Sequence, residues 1–248
     1  MAIFYDEAIQ IAKEFAEELA EKFRNKIVAV FAIGSLGSDY YRPGQSDIDT
    51  AVITNYNRND VAKIEKEIET IQDRYWKNYN VPKGFGAIVF AEEQLYPPYK
   101  KEEELILEIL RLKMQSKLIY GNYDISKAPM PDRQAIKDDA IAFQAWADNE
   151  KKTNPSFNDW NVQTLVNSTL IALKRYLMIK HGIIEFNKFK VIGLYLENDP
   201  PIINDEVFDF IDLSLHNNDI EVSDEKLSRM VQWHEELYTV INNLVLYK

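Results

Sequence analysis

Two aspartates separated by one residue, Asp47 and Asp49, stand in the stretch FAIGSLGSDYYRPGQSDIDTAVI, Phe31 to Ile53, with apolar runs on both sides. Side chains alternate faces along a strand, so both carboxylates point the same way while Ile48 points into the core. Like charges that close repel unless a cation sits between them. Magnesium suits the position, because it takes a few carboxylates and completes its shell with phosphate oxygens and water. Upstream, Gly34 permits a tight turn, and Ser35 with the amides of Leu36 and Gly37 can approach a phosphate. The loop GSDYYRPGQ then returns the chain to the second strand beside the first. A triphosphate would lie between a donor-rich turn and a metal held by two aspartates. Phosphoryl and nucleotidyl transfer require that layout.

The elements that must position these groups are legible around them. Tyr5 to Asn25 reads as an amphipathic helix, with Ala8, Ile11, Phe15, Leu19 and Phe23 at three- and four-residue spacing. IVAVFAI, Ile27 to Ile33, and DIDTAVI, Asp47 to Ile53, read as buried strands, and GAIVF, Gly86 to Phe90, as a third. A helix over Asp60 to Trp76 links the last two. Another is predicted over Glu102 to Leu118, closed by IYGNYD. The texture changes at ISKAPMPDRQ, Ile125 to Gln134, which reads as a linker. Long helical patterns follow over Ala135 to Glu150, Trp160 to His181 and Glu225 to Tyr247.

Composition narrows the function. The chain has 248 residues, 46% of them hydrophobic, enough for one large domain or two small ones. A net charge of −11 argues against holding long nucleic acid by phosphate neutralisation. Three histidines and no cysteine speak against zinc and disulfides. No apolar run is long enough to span a bilayer, and the N-terminus MAIFYDEAIQIAKEF lacks a signal-peptide pattern. A cytoplasmic protein is expected.

GSLGSDYYRPGQSDIDTAVI resembles the signature of the nucleotidyltransferase superfamily that includes DNA polymerase beta. An α/β half followed by a helical half in a chain of this length is similar to the aminoglycoside nucleotidyltransferases of the streptomycin and spectinomycin type. LKMQSKLIYGNYDIS, Leu112 to Ser126, looks like the helix and glycine turn that close their first domain, and VNSTLIALKRYLMIKHGIIEFNKFK, Val166 to Lys190, like the segment that presents basic residues to ATP. The implied fold is α+β, with an N-terminal α/β nucleotidyltransferase domain built on a mixed sheet over 1–127 and a C-terminal helical bundle over 128–248. The implied activity is transfer of AMP from ATP to a hydroxyl of a small, cationic, aminoglycoside-like molecule, with pyrophosphate released.

The resemblance also implies roles for single residues. Ser35, beside Gly34, would bind the triphosphate, Asp47 and Asp49 would hold two magnesium ions, and Ser46 would hydrogen-bond near the phosphates. Lys174 or Arg175, and Lys188, are the cations of the helical half that could reach ATP. Trp146 and Asp159 fall near positions used on a cationic acceptor, by cation–π attraction and ion pairing. The plainer reading makes Trp146 a core residue and Asp159 a helix N-cap. His181, before Gly182, reads as a partner of a helix C-terminus.

One expected group is missing. A third carboxylate, ligand or general base, belongs near Phe85 to Ala87, where this chain has no acid. Glu92 and Glu93 follow that strand, and Asp138, Asp139, Asp148 and Glu150 lie on the first helix of the helical half. Asp139 and Glu150 share a helix face and are the favoured bases, with Glu92 as runner-up. The alternative function is a nucleotide-binding protein of the same fold with weak or no turnover.

Overall fold

β1, Ile27–Ile33, lies between two antiparallel neighbours in a four-stranded mixed sheet of order β3-β2-β1-β4. The computed structural model describes residues 2–38, 40–99, 106–139, 142, 162–199, 211 and 222–246. β2, Ile48–Thr54, pairs antiparallel with β1 and parallel with β3, Phe85–Ala91. The chain divides into two compact units, the first Met1–Lys100 with Leu105–Pro131, the second Lys101–Glu104 with Asp132–Lys248. The α+β class expected from the sequence is the class observed.

In the first unit, α1 (Tyr5–Phe23) and α3 (Arg58–Tyr79) bury their apolar stripes with one face of the sheet. Ala8, Ile11, Phe15 and Leu19 of α1 are at most 2% exposed, as the helical spacing predicts. Phe15 meets the ring of Phe85 edge-on at 4.8 Å, and Ile48 and Val52 of β2 belong to the same cluster. Truncating Phe15 to Ala would cost about 3–5 kcal/mol. α3 starts two residues before the expected Asp60, because the Asn57 side chain caps it by accepting from the Asp60 amide at 3.1 Å. Alternate strand residues, Phe31, Ile33, Ala51 and Ile53, face the other way and are buried too. α4, Ile106–Met114, packs against β1 and β4.

The sequence reading carried the helix on to Leu118. It ends at Met114 instead, and β4, Ser116–Gly121, follows as a strand paired antiparallel with β1. Lys117 to Tyr120 is compatible with either state locally, and the open edge of β1 decides it by taking up the backbone hydrogen bonds. The strand also comes very close to α2, the short helical turn Gly34–Gly37 after β1. A Cβ on Gly37 would overlap the carbonyl oxygens of Gln115 and Ala32, so only glycine fits there.

The second unit packs α5, Val162–His181, against α6, Lys188–Asn198, and α7, Asp224–Leu246. Leu165, Leu173, Tyr176 and Leu177 of α5, Val191 and Tyr195 of α6, and Trp233 and Leu237 of α7 form its buried surfaces. α6 lies outside the helical patterns marked in the sequence. Its start is set by Asn187, whose side chain accepts from the Phe189 amide at 3.0 Å. His181 closes α5 and bonds through Nε2 to Asp199 at 2.5 Å, and Lys180 bonds the other oxygen of that carboxylate. Among the described residues no helix is long and apolar enough to cross a membrane.

Candidate functional site

β1 ends where the aspartates begin. Ile33, its last residue, is the register partner of Asp49, so the turn that opens at Gly34 starts beside Asp49. Gly34 adopts a φ of 62°, a left-handed value that glycine accepts at little cost. Ser35 follows in α2, and Ser38 Oγ closes the turn by donating to the Gly34 carbonyl at 2.6 Å. Asp47 immediately precedes β2, Ile48 is fully buried in the α1/α3 core, and Asp49 is half-buried on the opposite face. Ser46 stabilises the loop leading in: its hydroxyl accepts from the Arg42 amide at 2.9 Å, and its own amide donates to the Arg42 carbonyl at 2.9 Å. The Tyr41 hydroxyl is pushed up in pKa by burial and by the nearby charges of Asp47 and Glu7.

The cation that a carboxylate on this face needs is supplied by the protein at Asp49. Arg111 on α4 donates from Nη2 to Asp49 Oδ2 at 2.5 Å, and its Nη1 stands 3.4 Å from Glu108. Both Arg111 and Asp49 side chains are less than a quarter exposed. Burial alone would lower the guanidinium's pKa, but the charges of Asp49 and Glu108 outweigh it and hold the group above its ordinary value. Arg111 therefore stays cationic. A Cβ on Gly34 would overlap the guanidinium and push it from its place, in addition to straining the left-handed φ. Sequence reasoning missed Arg111. Its only signal was a charge in the middle of ILEILRLKM, and helical arginines are usually solvated.

Gly86 of β3 is the parallel neighbour of Asp49. It stands where the third carboxylate was sought, and a Cβ there would come within 2.6 Å of Asp49 Oδ1. The Asp49 carboxylate leans over the space that a side chain at 86 would take.

Glu92 is not brought to the aspartates. It follows the far end of β3, six residues beyond Gly86, about 20 Å along the strand direction at roughly 3.3 Å per residue. It interacts there with Tyr123. Glu93 at the same end accepts from the Arg58 amide at 2.7 Å and steadies the start of α3. The remaining described candidates belong to the second unit. Asp139 is 4% exposed and faces Arg175, itself 6% exposed, at 3.7 Å. Each thereby offsets the other's buried charge. Asp138 accepts from Gln134 at 3.0 Å. Lys174 and Lys188 lie over the rings of Phe186 and Phe189 at 5.8 and 5.6 Å. Trp146, Asp148, Glu150 and Asp159 lie outside the described residues.

Two carboxylates beside a donor-rich turn form a donor set that one magnesium ion can use, completed by phosphate oxygens and water. Among the described residues no group of three potential ligands gathers.

Residues 12–110, which contain β1, β2, β3 and most of α4, match the family described as nucleotidyltransferase domain. No curated protein sequence matches the chain significantly. Among solved structures, spectinomycin adenyltransferase AAD(9) from Enterococcus faecialis, determined with ATP and spectinomycin, superposes with a TM-score of 0.63. The match covers 94% of this chain and 98% of that one at 17% identity, a likeness of fold. Residues 12–110 thus match a nucleotidyltransferase domain, and the chain as a whole is similar in fold to a solved adenyltransferase.

Proposed function

We propose that this protein transfers AMP from ATP to a hydroxyl of a small cationic molecule of the aminoglycoside kind, with release of pyrophosphate. The observation that carries the reading is the Ile33–Asp49 register, which sets the Gly34–Ser35 turn beside Asp47 and Asp49 at one end of the sheet. Ser35 and the turn would hold the triphosphate. Asp47 and Asp49 would hold magnesium, which when bound neutralises charge developing on the transferred phosphoryl group. Ser46 keeps the loop before Asp47 in shape. The fold neighbour's own ligands, ATP and spectinomycin, support this choice of donor and acceptor class. Lys174 and Lys188 as nucleotide contacts, Glu150 as general base, and Trp146 and Asp159 as acceptor contacts complete the proposal, while the buried pair Asp139–Arg175 is left to a structural role. In a cell the reaction would take place in the cytoplasm, where ATP is supplied, and would confer resistance to the modified antibiotic.

A second reading is favoured by one observation. Gly86, with no side chain, is the strand neighbour of Asp49 in the stretch where a third acid was expected, and Asp49 already carries a protein counter-ion. A protein that binds the nucleotide and turns over slowly or not at all is consistent with both. Incubation with labelled ATP, magnesium and a panel of aminocyclitols separates the two. Pyrophosphate release that depends on an acceptor supports the transferase. Saturable ATP binding without release across the panel favours the binding protein, and no ATP binding sinks both.

A further inference from the structure

The Asp49 carboxylate stands over Gly86, and the Arg111 guanidinium bonded to it stands over Gly34. The Gly34 Cβ position falls against Nη2, Cζ and Nε of Arg111, so the guanidinium covers the backbone from which the phosphate-binding turn springs. On the other side, Gly86 leaves room for the Asp49 carboxylate and supplies no ligand of its own. A guanidinium carries five N–H donors, and planar donors of this kind match phosphate oxygens. Asp49 takes one at 2.5 Å, and Glu108 is served only by a long contact at 3.4 Å. Donor capacity therefore remains beside the turn.

We propose that Arg111 is a phosphate-binding residue of the nucleotide site, bridging Asp49 and the triphosphate in place of one metal ion, so that the chain works with a single divalent cation. This rests on the donor-site reading above. The charge count agrees. Asp47, Asp49 and Glu108 against one guanidinium leave two net negative charges, which one divalent ion neutralises. A second ion at Asp49 would share the carboxylate with the Arg111 guanidinium, and the two neighbouring positive charges would repel. The bland reading makes Arg111 a tie between α4 and β2 with no ligand to meet, and it predicts no effect on nucleotide affinity beyond loss of stability.

The test measures ATP binding by calorimetry in magnesium and in EDTA, for the wild type, Arg111→Met and Arg111→Lys. Manganese bound per chain is counted in the presence of a non-hydrolysable ATP analogue. The wild type is expected to bind metal-free ATP measurably, Arg111→Met to bind it about tenfold or more weakly, and Arg111→Lys to fall between. One manganese per bound nucleotide is expected. Equal metal-free affinity in the wild type and Arg111→Met would overturn the proposal, as would two manganese ions per nucleotide. Binding of magnesium-ATP but not of metal-free ATP by the wild type overturns it while leaving the donor site standing. Absence of any ATP binding removes the donor site as well. If Arg111→Met does not fold, the manganese count and the metal-free affinity of the wild type decide.

Discussion

Gly86 lies beside Asp49 in the parallel β2–β3 register, and a methyl group added at 86 would come within 2.6 Å of Asp49 Oδ1. Asp49 cannot simply swing away, because Arg111 holds its other oxygen. Gly86→Ala is therefore expected to push the carboxylate off its partner. A tenfold or larger loss of transferase activity should accompany a stability loss of about 1–3 kcal/mol from overpacking. Activity assays and denaturant melts of the variant check this, and unchanged values in both would show that the carboxylate is free to move.

Asp49→Asn should abolish transfer, since an amide keeps the size but not the charge that holds a metal. On like-charge repulsion alone the variant would gain stability. With Arg111 in place the sign reverses, because the substitution strands a half-buried guanidinium. The expected loss is about 1–2 kcal/mol. Urea denaturation compared with the wild type decides the sign, and a more stable variant would mean that the Asp49–Arg111 pair contributes little.

Magnesium-ATP should raise the melting temperature. A ligand at about 100 times its dissociation constant stabilises by about 2.7 kcal/mol. Removing magnesium with EDTA should reduce the shift without eliminating it if Arg111 contacts phosphate. No shift at millimolar magnesium-ATP would count against a nucleotide site at Gly34 and Ser35.

Asp199 predicts a pH dependence in the second unit. Burial by itself would raise its pKa, but hydrogen bonds from Lys180, His181 and Tyr176 outweigh it and hold the carboxyl below its ordinary value. A depressed folded pKa contributes stability above the unfolded value near 3.9, and that contribution is lost as pH falls through the folded value. Asp199→Asn should thus be less stable than the wild type at pH 7, with the gap closing below about pH 4. Denaturation midpoints measured from pH 7 to pH 3 test it, and a constant gap over that range would rule out this linkage.

The α+β class, the burial of Ile48 beside a half-buried Asp49 and the turn at Gly34 were readable from local patterns. Period-two and period-3.6 spacing, β-branched runs and glycine act over a few residues, and the sequence displays them directly. Asn57 and Asn187, which set the starts of α3 and α6, carry local signals of the same kind that went unread.

What the sequence by itself determined is therefore a strand–turn–strand segment with paired carboxylates, flanked by helices of known amphipathic face. What the tertiary structure decided is which distant residues meet it. Arg111 reaches Asp49 across 62 positions of chain, β4 exists because β1 offered an open edge, and Glu92 is carried away by the direction of β3. Asp139 is likewise buried against Arg175 in the second unit. Ion pairs and sheet edges form between elements brought together by packing. A charged residue on a helix or after a strand has the same local pattern whether it ends in solvent, in a buried pair or against a carboxylate.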